Sequence, residues 1–259
     1  MKPFPQLRER LIDLFFPPRC VGCTRAGFAF CPTCAQAVDP VADPICAHCG
    51  HPQPAPTELC IPCRSGERDT LALVRAATLY TEPLRAAIRA LKYDKQRELA
   101  PLLARYLIAV AQQPPWTEIL PEIDGVIPVP LHAQRLAERG FNQSALLAGP
   151  FAERMGLPLA ESWLRRERET RSQVGLNGAE RRQNVAGAFC ADPVVAGKRL
   201  LLVDDVFTTG TTLTECAQAL RLAGSTAVYG LALATPAPIP VSTLALSSDD
   251  SVESDFGDA

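Results

Sequence analysis

Residues 201–213 read Leu-Leu-Val-Asp-Asp-Val-Phe-Thr-Thr-Gly-Thr-Thr-Leu, an apolar run that stops at Asp204 and Asp205 and passes into a loop of small hydroxylated residues around one glycine. Leu200 to Val203 read as a buried strand, and the pattern from Leu213 through Leu220 to Leu222 reads as a helix closed by Gly224. The loop therefore joins a strand end to a helix N-terminus. Open α/β sheets hold their ligands there, and the helix dipole favours an anion. Two adjacent carboxylates suit neighbouring hydroxyls of a ribose, while Thr208, Thr209, Gly210, Thr211 and Thr212 can wrap a phosphate with backbone N–H groups and hydroxyls. The ligand that fits both halves is a sugar phosphate. An Asp-Asp turn before a Thr-rich helix cap uses the same residue types, but strand, acids, loop and helix in this order favour a ligand site. No Gly-Lys-Ser/Thr follows a four-residue spacer after a glycine, so the loop is not a Walker-type nucleoside-triphosphate loop.

Upstream and downstream of this segment, strand and helix patterns alternate. Leu71 to Tyr80 reads as an early strand, followed by a short helix over Pro83 to Leu91. A longer helix is expected over Glu98 to Ala111, where Leu99, Leu102, Leu103, Tyr106, Leu107 and Val110 recur at helical spacing, and Gln113-Pro114-Pro115 ends it. Further strands are expected near Gly125 to Val129, Trp163 to Arg165 and Thr226 to Ala234, with a helix near Asn142 to Met155. Such alternation predicts an α/β body over residues 67–235, with a parallel sheet and right-handed crossovers. Ile127-Pro128-Val129-Pro130-Leu131 leaves its strand at the sheet edge from which the Asp-Asp loop emerges, and its two prolines force an extended path. Arg135 and Arg139 follow, then Asn142 and Gln143 before a helix; arginine suits bidentate recognition of phosphate oxygens.

Eight of the ten cysteines form four C-x-x-C pairs, Cys20/Cys23, Cys31/Cys34, Cys46/Cys49 and Cys60/Cys63. Two such turns complete the tetrahedral thiolate shell that Zn²⁺ favours, so four pairs predict two structural zinc sites over residues 19–66. Loop length favours pairing in chain order, as tandem zinc ribbons, although spacing also allows an interleaved arrangement. Thioredoxin-type redox chemistry is disfavoured, since it uses a single C-x-x-C beside a βαβ unit. His48 and His51 are expected behind the thiolates or facing solvent. Apolar periodicity is nearly absent from Cys20 to Cys63, so metal must stabilise the segment. Cys190 and Cys216 read as small buried residues without chemistry.

The chain has 259 residues, enough for one substantial core plus a satellite, and its formal net charge of −2 rules out a global basic field for non-specific DNA binding. Leu7, Leu11, Leu14 and Phe15 predict a short N-terminal helix over residues 1–18, but Arg8, Glu9, Arg10 and Asp13 break any apolar run, so neither a signal peptide nor a membrane span is expected there. No later segment has membrane-spanning length without charge. The expected location is cytoplasmic, without membrane insertion. Six arginines fall between Arg165 and Arg182, around Gly175 and Gly178. This stretch reads as a solvated charged loop or as a lid that excludes water from a reaction. Residues 236–259 are Pro-, Ser- and Asp-rich, too polar to pack, and are expected to be disordered and dispensable.

The thirteen-residue segment resembles the motif for phosphoribosyl pyrophosphate (PRPP) of the type I phosphoribosyltransferases. A wider likeness runs over nearly all of residues 10–235. It includes the Phe16-Pro-Pro-Arg-Cys20 approach to the ribbons, Leu91-Lys92-Tyr93, and Arg139-Gly-Phe-Asn-Gln143. The spaced Thr170, Gln173, Leu176, Arg181 and Asn184 before Gly187-Ala188-Phe189 belong to it as well. On these residues the chain is similar to the ComF family, which includes competence proteins and GntX. The resemblance implies a type I phosphoribosyltransferase fold behind a double zinc ribbon. It further implies that Mg²⁺·PRPP is bound by Asp204, Asp205, Val206, Thr208, Thr209, Gly210, Thr211 and Thr212, with Asp204 and Asp205 as the catalytic acids. Pyrophosphate would lie at Val129, Pro130, Leu131 and Arg139. Where 6-oxopurine members of the fold carry an acidic general base this chain has Thr208, so a simple 6-oxopurine is not the implied acceptor, which stays unassigned. The other role the resemblance implies is non-catalytic PRPP binding or single-stranded-DNA handling in DNA uptake, with DNA or an uptake protein as partner.

Overall fold

In the computed structural model, residues 17–168 and 187–238 are described. The expected N-terminal helix, the lid reading with Thr170, Gln173, Leu176, Arg181 and Asn184, and most of the acidic tail lie outside these residues. In chain order the helices and strands are α1 (Pro32–Gln36), α2 (Ile61–Arg64), β1 (Leu73–Leu79), α3 (Leu84–Tyr93), α4 (Leu99–Ala111), α5 (Trp116–Ile119), β2 (Gly125–Pro128), α6 (Ala133–Arg139), α7 (Gln143–Met155), β3 (Leu164–Arg166), β4 (Phe189–Ala191), β5 (Arg199–Val206), α8 (Thr211–Leu222) and β6 (Ala227–Thr235).

Strand β5 is buried almost throughout because both of its faces are covered. Leu201 and Val203 face one core with α3, α4 and α7, whereas Leu200 and Leu202 face a second core with α8. This period-two division is what a strand sandwiched between helices requires. The main sheet runs β1-β6-β5-β2 with every pairing parallel. Helix α4 is fixed by Leu99, Leu103 and Leu107, all fully buried, and each such leucine contributes about 1.5–3 kcal/mol relative to exposure. Helices α7 and α8 end as their sequences require: Gly156 follows α7 in the left-handed region at φ 68°, and Gly224 lies just past the end of α8 at φ 95°.

One expected strand joins a different sheet. Residues near Trp163 to Arg165 do extend, as β3, but they pair antiparallel with β4, a strand the sequence pattern does not reveal. Three residues, Phe189 to Ala191, are too few to display a period. The short helix α6 is a second addition; His132 caps it by accepting from the Gln134 N–H at 3.4 Å.

The cysteine segments lie along β1, the edge of the main sheet. The His48 carbonyl accepts from Val74 N–H at 3.1 Å and the Asp39 carbonyl from Leu79 N–H at 2.8 Å, so an edge that would otherwise present unpaired backbone is covered. Their buried cysteines merge into the two cores of the body, Cys20, Cys31 and Cys34 into one and Cys46, Cys49, Cys60 and Cys63 into the other.

Candidate functional site

Strands β2 and β5 are neighbours, yet α7, which follows β2, lies on one face of the sheet and α8, which follows β5, lies on the other. Loops that diverge to opposite faces leave a crevice beyond the carboxyl ends of the strands. A cleft of about 310 Å³ occupies that place, lined by Val129, Pro130 and Leu131 after β2 and by Asp204 through Leu213, from the end of β5 into the first turn of α8. Arg135, Arg139 and Arg166 converge on it, as do Lys92, Tyr80 and Tyr93. Every candidate ligand residue named from the sequence, apart from the cysteines, therefore lines one cavity.

Asp204 and Asp205 end β5 and are both buried. Asp204 Oδ1 accepts from Ser144 Oγ at 3.0 Å and from the Asp205 N–H at 2.9 Å, and Asp205 Oδ1 accepts from the Val206 N–H at 2.9 Å. Burial, joined by the charge of Asp205, pushes the Asp204 carboxyl up to about 7. The ammonium of Lys92 forms an ion pair with Asp205 Oδ2. Burial works against that ammonium, but the Asp205 and Asp204 carboxylates outweigh it and hold the lysine above its ordinary range. The Asp204 carboxyl thus sits near the middle of its titration at neutral pH, beside the Lys92–Asp205 ion pair.

The following loop is tightly shaped. Phe207 N–H donates to the Ala234 carbonyl at 2.8 Å, and the Phe207 carbonyl accepts from Thr235 Oγ1 at 2.9 Å. Gly210 caps α8 with φ 83°, a conformation L residues rarely adopt. A Cβ at Gly210 would also meet the Phe207 ring at 2.8 Å. The first turn of α8 leaves N–H groups without intrahelical partners at the cleft, and Thr209 and Thr211 share a hydroxyl contact of 2.8 Å beside them.

Across the cleft, Asn142 caps α7 by accepting from the Ser144 N–H at 3.0 Å and donates its amide to the Val129 carbonyl, also at 3.0 Å. One side chain therefore fixes the loop after β2 against the helix behind it. Arg139, at the end of α6, is bonded to Gln143 Oε1 and lies over the Tyr93 ring at 5.6 Å. Tyr93 is 62% exposed at the cleft rim.

Lys92 and Arg166 line the cavity, and Ser144 donates to Asp204, without having been singled out as ligand residues by sequence. For Lys92 a signal exists: it lies four residues after the buried Ile88 of α3, and a lysine on the apolar face of a helix calls for a buried counter-charge. Ser144 and Arg166 carry no comparable pattern.

The eight pair cysteines gather in chain order, Cys20, Cys23, Cys31 and Cys34 in one cluster and Cys46, Cys49, Cys60 and Cys63 in the other, each with sulfurs within 4.8 Å of one another. The interleaved arrangement is excluded. Sulfur separations of 3.6 Å for Cys23–Cys31 and for Cys49–Cys60 match the edge of about 3.8 Å of a tetrahedron with Zn–S bonds of about 2.3 Å. Both quartets fit zinc. His48 stands behind the second, its Nδ1 3.4 Å from Cys63 Sγ and its Nε2 2.8 Å from the Leu71 carbonyl. His51 belongs to neither quartet; it is half-buried, with its Nδ1 3.2 Å from Thr235 Oγ1 and its ring edge-on to Phe207. Cys216 is fully buried, whereas Cys190 is only partly so.

Among the described residues no helix is long and apolar enough to cross a membrane. The chain matches a double zinc ribbon domain over residues 11–64 and a phosphoribosyl transferase domain over residues 142–236. It is 34% identical over 201 residues to the DNA utilization protein YhgH of Salmonella typhi, covering 78% of this chain and 88% of that one. It is 32% identical to Competence protein F of Haemophilus influenzae, covering 85% of this chain and 99% of that one. Identity to Competence protein ComFC of Bacillus subtilis is 27%, over 76% of this chain and 80% of that one.

Proposed function

The chain belongs to the ComF family, and from that premise we propose that it binds Mg²⁺·PRPP in the cleft between β2 and β5 and transfers the phosphoribosyl group to an acceptor, releasing pyrophosphate. The observation that carries this reading is the convergence of two adjacent carboxylates, a phosphate-shaped loop at a helix N-terminus and three arginines on one cavity.

Asp204 and Asp205 accept hydrogen bonds from the ribose hydroxyls, and the Thr208–Thr212 loop holds the 5-phosphate. The loop Val129 to Leu131 and Arg135, Arg139 and Arg166 receive pyrophosphate on the facing wall. The all-oxygen donor set of Asp204 and Asp205 suits Mg²⁺, and a Mg²⁺ bound with PRPP offsets charge on the departing phosphates. In the transfer, the bond from the anomeric carbon to the pyrophosphate oxygen breaks with its electron pair on pyrophosphate, and the acceptor supplies the pair for the new bond. The carboxylates lie where they favour the cationic anomeric centre, while the arginines favour the leaving anion.

The test is calorimetry with Mg²⁺·PRPP on the full chain, followed by a screen of bases and amines for PRPP-dependent pyrophosphate release. Saturable binding that is lost in the Asp204→Asn, Asp205→Asn double variant is expected; unchanged binding in that variant would sink the assignment. Affinity should rise with pH and level off above about 7, as Asp204 ionises. The same group bears on stability with a definite sign. Its folded value lies above the ordinary 3.8, so the unfolded chain releases the proton first and folded-state stability falls as pH rises through this window.

A DNA-related role is favoured by the names of the relatives. The same arginines could hold backbone phosphates, and exposed Tyr93 offers a face on which a base could stack. Salt-dependent gel shift with single-stranded DNA separates the readings: retention that weakens steeply with salt supports strand binding, and no shift at low salt removes it.

A further inference from the structure

Arg68 lies between the last cysteine of the second quartet and β1, and it does not line the cleft. It is nonetheless 4% exposed, and its guanidinium bridges two distant parts of the molecule. Nη1 donates to Cys49 Sγ at 2.7 Å and stands 3.6 Å from Cys60 Sγ. Nη2 donates to the Thr209 carbonyl at 2.7 Å. The guanidinium also lies over the Phe207 ring at 5.1 Å, and a Cβ at Gly210 would come within 3.0 Å of its Nε. Metal quartet, guanidinium and phosphate-shaped loop are therefore in direct contact, with no room for a methyl group between the last two.

We propose that Arg68 is a positioning residue that ties the second metal centre to the loop, so that metal loading at Cys46, Cys49, Cys60 and Cys63 and phosphate binding at Thr208–Thr212 are coupled. The proposal rests on the sugar-phosphate reading of that loop. In a trans peptide the carbonyl oxygen and the next N–H point in opposite directions. Holding the Thr209 carbonyl on Arg68 therefore turns the Gly210 N–H away from the metal centre, and Gly210 lines the cleft. Released from Arg68, the same peptide unit could rotate and present its oxygen to the phosphate. A buried guanidinium needs an anionic partner, and the thiolate quartet around a zinc ion supplies one. The planar fork of arginine serves both acceptors at once, which the single ammonium of lysine does not. Coupling of this kind is reciprocal, so ligand in the loop must also be felt at the metal.

The experiment uses the full chain with cadmium in both centres and ribose 5-phosphate as the probe. Cadmium NMR gives one resonance per centre, assigned by the loss of one of them in Cys23→Ser. In the unaltered protein, ribose 5-phosphate should shift the second-centre resonance saturably and leave the first in place. In Arg68→Lys both resonances should persist, the shift should vanish, and affinity for ribose 5-phosphate should fall about tenfold. Inorganic pyrophosphate, which the facing wall would hold, should bind both proteins alike. Full affinity in Arg68→Lys with both metals bound would overturn the proposal. So would saturable binding to the unaltered protein that leaves the second resonance unmoved, an arm that needs no variant to fold. Failure of the unaltered protein to bind ribose 5-phosphate would instead overturn the sugar-phosphate reading. Amide hydrogen exchange over residues 207–213 then decides the tie: it should be faster in Arg68→Lys than in the unaltered protein, and equal rates would refute it.

Discussion

The two cysteine quartets have the same ligands and the same spacing logic, but they touch different things. In the first, Cys23 is exposed, and the sulfurs accept from their own segment, Cys20 from the Cys31 N–H at 3.2 Å and Cys31 from the Cys34 N–H at 3.4 Å. In the second all four cysteines are buried, and Arg68 and His48 reach their sulfurs from outside the ligand set. The first quartet sits against Pro83 before α3, where a Cβ at Gly22 would meet the proline at 2.8 Å. The second sits under the loop that shapes the cleft. One metal site staples a small segment to the body, and the other is part of the wall behind a functional loop.

The largest effect that can break this comparison is loss of one metal at a time. Cys60→Ser should remove the second zinc, lower stability by several kcal/mol, and reduce affinity for Mg²⁺·PRPP by about a hundredfold, because the support behind Thr209 goes with the metal. Cys23→Ser should remove the first zinc and leave that affinity within about threefold. Metal analysis with calorimetry on both variants reads the contrast. Equal losses of binding would mean that the two sites are equivalent and that the difference in their surroundings has no consequence.

A smaller effect concerns the order in which the metals leave. Hydrogen bonds to ligating sulfurs fix their orientation, and removal of such a partner commonly costs 10–100-fold in metal affinity. A graded chelator should therefore strip the first site before the second. His48→Ala should narrow that gap by about tenfold without changing the first site. Chelator competition followed by metal-resolved NMR measures both, and release of the second metal ahead of the first would reverse the assignment of which site is supported.

The same contrast shows what a sequence discloses. The strand–acid–loop–helix order around Asp204 and the cysteine quartets are local patterns, and both are readable because a few adjacent residues carry the whole signal. Candidate loop Val129 to Leu131 is local too, but the side chain that holds it, Asn142, is recognisable as a helix cap only, not as the donor to the Val129 carbonyl. Contacts that depend on topology are hidden. Lys92 meets Asp205 and Arg68 meets Thr209 because β1 and β5 share a sheet with β6 between them, and nothing near Arg68 in the chain distinguishes it from any other arginine. The quartet order also needed the structure, since both pairings satisfy the same tetrahedron. Strand β4 shows the lower limit of pattern reading, three residues too short for alternation to register, and without it the antiparallel partner of β3 is hidden.

The smallest effect is the sharpest for the first site. Tyr106, on α4, donates its hydroxyl to the Ala35 carbonyl at 2.8 Å and so fastens α1 of the first quartet to the body. Tyr106→Phe keeps the ring and removes only that bond, so the loss should be about 1 kcal/mol, a shift of about 2–4 °C in the melting temperature of a chain this size. Binding of Mg²⁺·PRPP should be unchanged, because the hydroxyl touches nothing that leads to the cleft. A lowered affinity in Tyr106→Phe would show that α4 transmits from the first quartet to the site. The first metal would then cease to be a staple and become a second support for the cleft.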